Sequence, residues 1–275
     1  MARTLGVVIT GGSRGLGFEL ARAFLLAGDR VVICSRSDAS VNNAVWQLRD
    51  MVTGAAVWGM ACDVTKPGEM SVFSDFAAAK LGYVDRWINN AGSSGARKRP
   101  LFDLDDADIM QTVSTNLTGT LIASRSAIKI MLSQAPVPAD TAGYHIFNFG
   151  FSAAGARFSR SPLPHKASKT GVAAVTRFLA EELRREGIAG IGVHEVSPGL
   201  VLTELLLHDT DPPTRQFLET VGDSPQTAAD LLLPKIRHPK GRYSQLRSRP
   251  LPLMLARMAW LQLKCALFAA KGAEA

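Results

Sequence analysis

A glycine-rich loop between an apolar strand and a helix is the feature that most limits how this chain can fold. The run GVVIT, which starts at Gly6, leads directly to Gly11, Gly15 and Gly17, and the helical pattern FELARAFLLA follows. An unbroken apolar run of this length is typical of a buried parallel strand. Glycines at such a turn let the backbone approach a pyrophosphate, which the free N–H groups of the next helix can bind. The sequence therefore predicts that the chain begins with a dinucleotide-binding strand–loop–helix unit.

Short apolar runs alternate with helical patterns through the first two thirds of the chain. The predicted strands are 6–10, 31–35, one within 55–64, one beginning near 85, 143–149 and 191–196, and long helices are predicted over 103–133 and 162–186. Alternation with short connections predicts an α/β fold, a doubly wound, Rossmann-type parallel sheet. We expect residues 1–275 to form a single domain. Within it, the alternation is expected to fade over 203–275, which would form a variable substrate lid and a basic C-terminal tail.

The formal net charge of +7 is concentrated at the C-terminus. Residues 234–275 contain nine Lys or Arg and one acid, whereas the other 233 residues contain 22 basic and 23 acidic side chains. Such a tail can bind an anionic membrane surface or an acidic partner, and a solvated edge without a partner is the alternative. Nucleic acid is not expected, because no aromatic platform accompanies the charges. Residues 250–270 have the pattern of an amphipathic helix, which would lie on a membrane surface, or pack on the core or on another subunit.

The start of the chain and its cysteines indicate the expected compartment. The first predicted strand begins almost at once, so no targeting peptide precedes it, and we expect a cytosolic protein or a mature or trimmed form. No apolar run reaches the ~18 residues of a membrane span. The three cysteines, Cys34, Cys62 and Cys265, have no metal-ligand spacing, so we expect reduced thiols and no metal site.

Two further motifs accompany the glycine loop and identify a family. NNAG follows the fourth predicted strand at 89–92, and Lys169 stands four residues after His165 in a predicted helix. Together with TGGSRGLG, these motifs resemble the short-chain dehydrogenase/reductase family. The resemblance implies a nicotinamide-dependent oxidoreductase that acts on a carbonyl or an alcohol.

The resemblance also implies which residues hold the cofactor. They are Gly11, Ser13, Arg14, Gly15, Leu16 and Gly17 of the loop, Ser35 and Arg36 after the second strand, Asp63 and Val64 beside the adenine, Asn90, Ala91, Gly92 and Lys169 along the central part, and Pro198, Gly199 and Thr203 near the nicotinamide amide. An acid after the second strand would bind the ribose hydroxyls and repel a 2′-phosphate. This chain has Ser35 and Arg36 there, with Arg14 in the loop, and guanidinium groups suit a phosphate dianion. The expected cofactor is therefore NADPH.

By the same resemblance the catalytic residues are Asn116, Ser152, His165 and Lys169, and His165 stands where the family has a tyrosine. A histidine, with a pKa near ~6.5, could donate a proton itself. A neighbouring ammonium group, however, lowers that pKa and makes the imidazolium scarce at neutral pH. Three hypotheses stay open: His165 donates the proton, activity is lost at this position, or Ser152 with water and Lys169 delivers the proton.

Within the family, several stretches resemble the chlorophyll b reductases. They are GDRVVICSRSDASV, ACDVTKP, WINNAG, VSTNLTGT, GYHIFNFG and HEVSPGLVLTELLL, and the likeness covers about residues 5–210. This resemblance implies a chloroplast enzyme that uses NADPH to reduce the formyl group of chlorophyll b to hydroxymethyl, in chlorophyll turnover. The alternatives are a reductase of another apolar ketone or aldehyde, and a cofactor- or pigment-binding homologue without turnover. The resemblance also implies a homodimer or homotetramer, paired through the helices around 104–132 and 162–186. It further implies that the basic tail contacts a membrane or a pigment–protein complex.

Overall fold

In the part of the chain that the structure describes, seven parallel strands form one central sheet. The structure is a computed structural model and describes residues 3–136, 142–151, 156, 159 and 161–250. The strands are β1 Gly6–Thr10, β2 Arg30–Ser35, β3 Val57–Ala61, β4 Arg86–Asn89, β5 Tyr144–Phe149, β6 Ile191–Ser197 and β7 Tyr243–Arg247. Their order across the sheet is β3-β2-β1-β4-β5-β6-β7, and every neighbouring pair is parallel.

Helices cover both faces of this sheet. They are α1 Gly15–Leu26, α2 Asp38–Met51, α3 Pro67–Leu81, α4 Asp106–Val113, α5 Gly119–Ser133, α6 Leu163–Arg185, α7 Glu204–Leu207, α8 Pro212–Val221 and α9 Pro225–Arg237. Val7 and Ile9 of β1 pack in one core with α1, α2 and α9, whereas Val8 packs in a second core with α3, α5 and α6. Successive strand residues point to opposite faces, so an entirely apolar strand fills two cores at once. The predicted doubly wound α/β fold is confirmed.

The strand order places a binding cleft at one end of the sheet. From β1 the chain proceeds to β2 and β3 on one side, and then returns to β4 on the other side of β1. In open α/β sheets, ligands bind outside the carboxyl ends of the strands where the order reverses in this way. The glycine loop after β1 and the NNAG loop after β4 both lie at this point.

The expectation that the strand–helix alternation fades beyond residue 203 is wrong in part. Helix α9 packs against α1, and β7 extends the sheet beside β6. The sequence of β7, YSQLR, contains mainly polar residues and its side chains are half-buried or exposed. An edge strand has one free side and needs no apolar run, so the pattern that found the central strands could not find this one. The shorter helices α7 and α8 occupy the position of the predicted lid.

Part of the C-terminal basic charge serves the fold. Arg237 forms an ion pair with the buried Asp29, with 3.2 Å between nitrogen and oxygen, and Arg249 pairs with Asp223 at 2.8 Å. The Lys235 ammonium donates to backbone carbonyl oxygens just after β7. These three cations are bonded within the protein and do not belong to a free basic surface. Residues 251–275, with most of the predicted amphipathic helix, lie outside the described residues; within the described ranges no helix is long and apolar enough to cross a bilayer.

Candidate active site

The glycine loop is shaped by backbone that other residues do not readily adopt. Gly11 and Gly15 have φ angles of 66° and 58°, in the left-handed region. A Cβ atom on Gly11 would lie 2.8 Å from Cα of Ala91, and one on Gly17 would lie well under 3.0 Å from the Gly11 carbonyl oxygen. The loop is therefore packed against the NNAG loop and opens at the N-terminus of α1, where a pyrophosphate would meet free N–H groups. This cradle fits a dinucleotide.

Asn90 fastens the two loops to each other. Its side-chain amide donates to the carbonyl oxygens of Gly11 and Thr10, at 2.9 and 3.1 Å. The backbone N–H groups of Asn90 and Ala91 donate in turn to the Thr10 hydroxyl, at 3.2 and 3.1 Å. Asn90 and Ala91 were predicted to line the cofactor, and the structure gives the Asn90 side chain a bracing role as well.

The residues predicted to bind a 2′-phosphate lie at the ends of β1 and β2. The Gly12 N–H group donates to the carbonyl oxygen of Cys34 at 3.0 Å and so holds the loop against the end of β2, where Ser35 and Arg36 follow. The Arg36 side chain is exposed. Arg14 forms an ion pair with Glu204 of α7, and both side chains are largely exposed. The donor set suits a phosphate dianion, and Arg14 would have to exchange Glu204 for that ligand.

Asp63 and Val64 follow β3, on the side where the resemblance places the adenine. The Asp63 carboxylate accepts hydrogen bonds from the backbone N–H group and the hydroxyl of Thr65, at 2.9 and 2.8 Å. Val64 is buried against Gly119, where a Cβ atom would lie 2.6 Å from a valine methyl carbon. Both residues thus shape the turn after β3, and their contact with adenine stays a prediction.

The turn after β6 contains Pro198 and Gly199 and leads to helix α7, in the segment predicted to form the lid. Gly199 has a φ angle of 80°, and the Thr203 hydroxyl caps α7 by accepting from the Leu206 N–H group at 3.3 Å. The Thr203 methyl carbon lies 3.3 Å from the position a Cβ atom would take on Gly15. The start of α7 therefore contacts the glycine loop, and these residues border the same cleft; their contact with the nicotinamide stays a prediction.

Asn116 lies in a π-helical turn, Ser114–Thr118, that divides the helix predicted over 103–133. Such wide turns are frequent at functional sites. Its side chain accepts from the Ser93 N–H group at 2.8 Å and donates to the Ser93 carbonyl oxygen and the Ser168 hydroxyl, both at 2.9 Å. Asn116 thus joins the loop after β4 to helix α6. Ser93 and Ser168 were not predicted, and the only sequence signal for Ser168 is its place between His165 and Lys169.

Lys169 is buried and points into the same space. Its ammonium donates to the carbonyl oxygen of Phe149 at 2.8 Å, and burial lowers its pKa to about 8. A Cβ atom on Gly92 would lie 3.2 Å from the Lys169 nitrogen and 3.2 Å from the Asn116 side-chain oxygen. Gly92, Asn116 and Lys169 therefore converge, as predicted from their motifs.

His165 is buried one helical turn before Lys169. Its Nδ1 atom has no hydrogen-bond partner among the described residues, and its ring stands edge-on to Phe151 with 5.1 Å between centroids. Burial, then the charges of Lys169 and Lys98, lower the pKa of His165 to about 3. The expected direction of the shift is right, but burial is its larger cause. The hypothesis that His165 donates the proton as an imidazolium at neutral pH does not fit this value. Ser152, the fourth predicted catalytic residue, lies outside the described residues.

The fold and the site together define a class of protein. A glycine cradle at the switch point of a doubly wound sheet, with exposed arginines beside it and a buried lysine within it, is the arrangement of a nicotinamide-dependent oxidoreductase. A family model described as short chain dehydrogenase matches residues 6–212. The chain belongs to that family.

Individual relatives define the chemistry further. Chlorophyll(ide) b reductase NOL of Oryza sativa subsp. japonica is 37% identical over 238 residues, which cover 86% of this chain and 68% of that protein. The probable chlorophyll(ide) b reductase NYC1 of the same plant is 38% identical over 275 residues, which cover 93% of this chain and 52% of that protein. A crystal structure of an actinorhodin polyketide ketoreductase with NADPH has a TM-score of 0.73 and 25% identity, and covers 90% of this chain and 97% of that one. The chain thus belongs to a family of oxidoreductases, and all three of these relatives are described as reductases.

Proposed function

We propose that this protein reduces the formyl group of chlorophyll b, or of a closely related tetrapyrrole, to a hydroxymethyl group with NADPH. The observation that carries the proposal is the 37–38% identity with two chlorophyll(ide) b reductases over 86% and 93% of the chain. Identity with the polyketide ketoreductase is 25%. The chain spans 68% and 52% of the two plant proteins, so activity, substrate and a chloroplast location are all part of this proposal.

The residues around the cleft support NADPH rather than NADH. No acid stands at the end of β2, where Ser35 is followed by the exposed cation Arg36, and Arg14 is the second cation. A ribose with free hydroxyls would give Arg36 no anionic ligand, whereas a 2′-phosphate gives it one and can also draw Arg14 from Glu204. When bound, NADPH supplies the hydride that reduces the carbonyl carbon.

The proton for the carbonyl oxygen comes from Lys169 in this proposal. With a pKa of about 8, Lys169 is mainly protonated at neutral pH, whereas His165, with a pKa of about 3, is neutral. A neutral imidazole can accept a proton on one nitrogen and release one from the other. His165 would thus pass the Lys169 proton to the developing alkoxide, and solvent would then return a proton to Lys169. Asn116 positions α6 through Ser168.

A second candidate is a cofactor- or pigment-binding homologue without turnover. The observation that favours it is also at His165, which stands where the resemblance places the family's tyrosine. Its Nδ1 atom has no hydrogen-bond partner among the described residues. A site that lacks a proton donor would still bind NADPH, because the glycine loop does not involve this residue.

Exposed apolar side chains support a homo-oligomer. Met110 of α4, Leu121 and Leu132 of α5, and Phe178 of α6 are all at least 46% exposed. Apolar side chains that share a region of the surface are typical of subunit contacts. We therefore include a homodimer or homotetramer in the proposal, paired through these helices.

The test is NADPH oxidation by the purified protein with chlorophyll b, with the pigments resolved by chromatography, beside a His165→Tyr variant. Hydroxymethyl pigment from the unchanged protein is the expected result and makes histidine compatible with turnover. Product from the tyrosine variant alone would favour the binding protein on a reductase scaffold. If neither forms product while NADPH still binds, the chlorophyll assignment is wrong.

A further inference from the structure

A basic cavity lies beside the start of α6 and takes no part in the proposed reaction. It has a volume of about 370 Å³ and lies between the loop that follows the NNAG motif and the start of α6. Three cations line it, Lys98, Arg99 and Lys166, together with apolar side chains that include Leu101 and Leu163. No acidic side chain is among the described residues of its wall. We call this cavity the basic pocket.

The basic pocket adjoins the reacting end of the site. Leu163 and Lys166 lie in the first turn of α6, and His165 lies in the same turn. Lys98, on the opposite wall, is close enough for its charge to lower the pKa of His165. A substrate whose carbonyl group lies beside His165 can therefore extend into this pocket.

Lys98 is already bonded within the protein. Its ammonium donates to the carbonyl oxygen of Leu206 at 2.5 Å and to the hydroxyl of Thr210, and its backbone N–H group donates to Asp209 at 2.6 Å. These bonds tie the loop after NNAG to the segment that follows α7. Lys98 therefore shapes the pocket and holds it against the lid, rather than being its main ligand group.

Arg99 and Lys166 have a different status. Neither side chain has a hydrogen-bond or ion-pair partner among the residues that the structure describes, and the charge of Arg99 contributes to lowering the pKa of Asp209. Two cations with apolar neighbours form a site for an anion attached to an apolar body. A guanidinium group binds a carboxylate through two parallel hydrogen bonds, and an ammonium group adds a point charge.

We propose that the basic pocket binds a carboxylate of the carbonyl substrate, with Arg99 and Lys166 as its ligands and Leu101 and Leu163 against the adjoining apolar part. The inference rests on the proposed function and specifies the form of its substrate. In a tetrapyrrole the carboxylate would be a propionate side chain, which is free in chlorophyllide b and esterified in chlorophyll b. The pocket would thus select the free acid over the ester.

The test compares chlorophyllide b with its propionate methyl ester, a pair that differs only in this charge. We expect the unchanged protein to have about a tenfold higher kcat/KM for the acid, because one charge-assisted contact contributes about that factor. Lys166→Gln and Arg99→Gln should each lower kcat/KM for the acid about tenfold and leave the ester within about twofold. Lys240→Gln is the matched control, since Lys240 is exposed just before β7, at the amino ends of the parallel strands, whereas the pocket lies beyond the carboxyl end of β4. This variant should leave kcat/KM unchanged for both the acid and the ester.

Equilibrium binding of the same two pigments, measured with NADP⁺ present, separates this inference from the proposed function. If neither pigment is reduced but the acid binds more tightly than the ester, and Lys166→Gln removes the difference, the pocket is correct and the reaction is wrong. Equal kcat/KM and equal binding for acid and ester would overturn the inference. The inference would also be overturned if the variants lowered kcat/KM or binding for both pigments to the same extent, or if the unchanged protein bound neither pigment.

Discussion

The pH dependence of turnover reports which residue holds the transferable proton. Burial lowers the pKa of Lys169 to about 8, and burial with two nearby charges lowers the pKa of His165 to about 3. If Lys169 supplies the proton, the rate of reduction follows its protonated fraction. The rate should then be constant below about pH 7 and fall about tenfold for each pH unit above 8.

The size of this effect follows from the value for Lys169. With a pKa of about 8, roughly nine tenths of the Lys169 side chains are protonated at pH 7 and slightly under one tenth at pH 9, so the rate should fall about tenfold between them. A lysine with its ordinary pKa of ~10.4 would give almost no change over this range. The descending part of the profile therefore measures the consequence of burying Lys169.

The assay is the single-turnover rate of chlorophyll b reduction at saturating NADPH, measured from pH 5.5 to 9.5 with about half-unit steps. Lys169→Arg is the matched variant, because arginine stays protonated throughout and should remove the descending part of the profile, at a lower rate. A rate that rises as the pH falls through about 6.5 would identify the imidazolium of His165 as the donor and refute the argument. A flat profile up to pH 9.5 would also refute it.

Three other changes test the loop, the cofactor preference and the core. Gly17→Ala places a Cβ atom against the Gly11 carbonyl oxygen, so it should lower the free energy of unfolding by ~1–3 kcal/mol. Gly68→Ala is the control, because a Cβ atom there would meet open space on α3, and it should raise the free energy of unfolding by up to ~1 kcal/mol. Similar thermal shifts for the two variants would contradict this. Arg36→Ala should raise KM for NADPH about tenfold and leave KM for NADH within about twofold; equal effects in steady-state kinetics would refute the phosphate contact. Burial lowers the pKa of His145 to about 3 and that of His194 to about 4. The free energy of unfolding should therefore fall from pH 6.5 to 5, by up to ~1.4 kcal/mol per pH unit for each histidine. Urea unfolding that shows constant stability over this range would refute this.

The last of these predictions depends on the sign of the linkage. Below about pH 6.5 the unfolded chain binds protons on His145 and His194, but the folded protein does not until its much lower pKa values are reached. Nδ1 of His145 lies 2.8 Å from Nε2 of His194, and both rings are buried. Nδ1 of His194 also forms a hydrogen bond with the Ser244 hydroxyl at 2.7 Å. Stability is therefore complete above pH 6.5 and is lost on acidification.

The sheet was predictable as far as β6 because the strands up to that point are mostly buried and carry apolar residues on both faces. The same reasoning missed β7, whose polar sequence is permitted at an edge. The loops of the site were predictable for a different reason: only glycine tolerates the φ angle of Gly11 and the space around Gly17. Both conditions are imposed locally, so both leave a local mark in the sequence.

The remaining parts of the site depend on residues far apart in the chain. Asn116 bonds to Ser168, 52 positions away, and Lys98 bonds to Leu206, 108 positions away. Spacing along one helix places His165 beside Lys169, but does not show that the pair is buried. Burial is the main cause of the low pKa of His165, and it became visible only with the fold.

A histidine at position 165, where the resemblance places the family's tyrosine, changes where the site can hold a proton. A phenol is neutral when protonated, so a nearby ammonium makes it a stronger acid and the two groups cooperate. An imidazolium beside the same ammonium would place two positive charges in one buried space, and both burial and repulsion oppose that state. The site resolves this conflict by keeping His165 neutral, so the proton remains on Lys169, whose ammonium retains a bond to the Phe149 carbonyl oxygen. In the proposed mechanism, a histidine at this position therefore leaves the site with an acid, because Lys169 holds the proton and the neutral imidazole passes it on. The pH profile of turnover distinguishes this mechanism from a homologue that only binds its ligands.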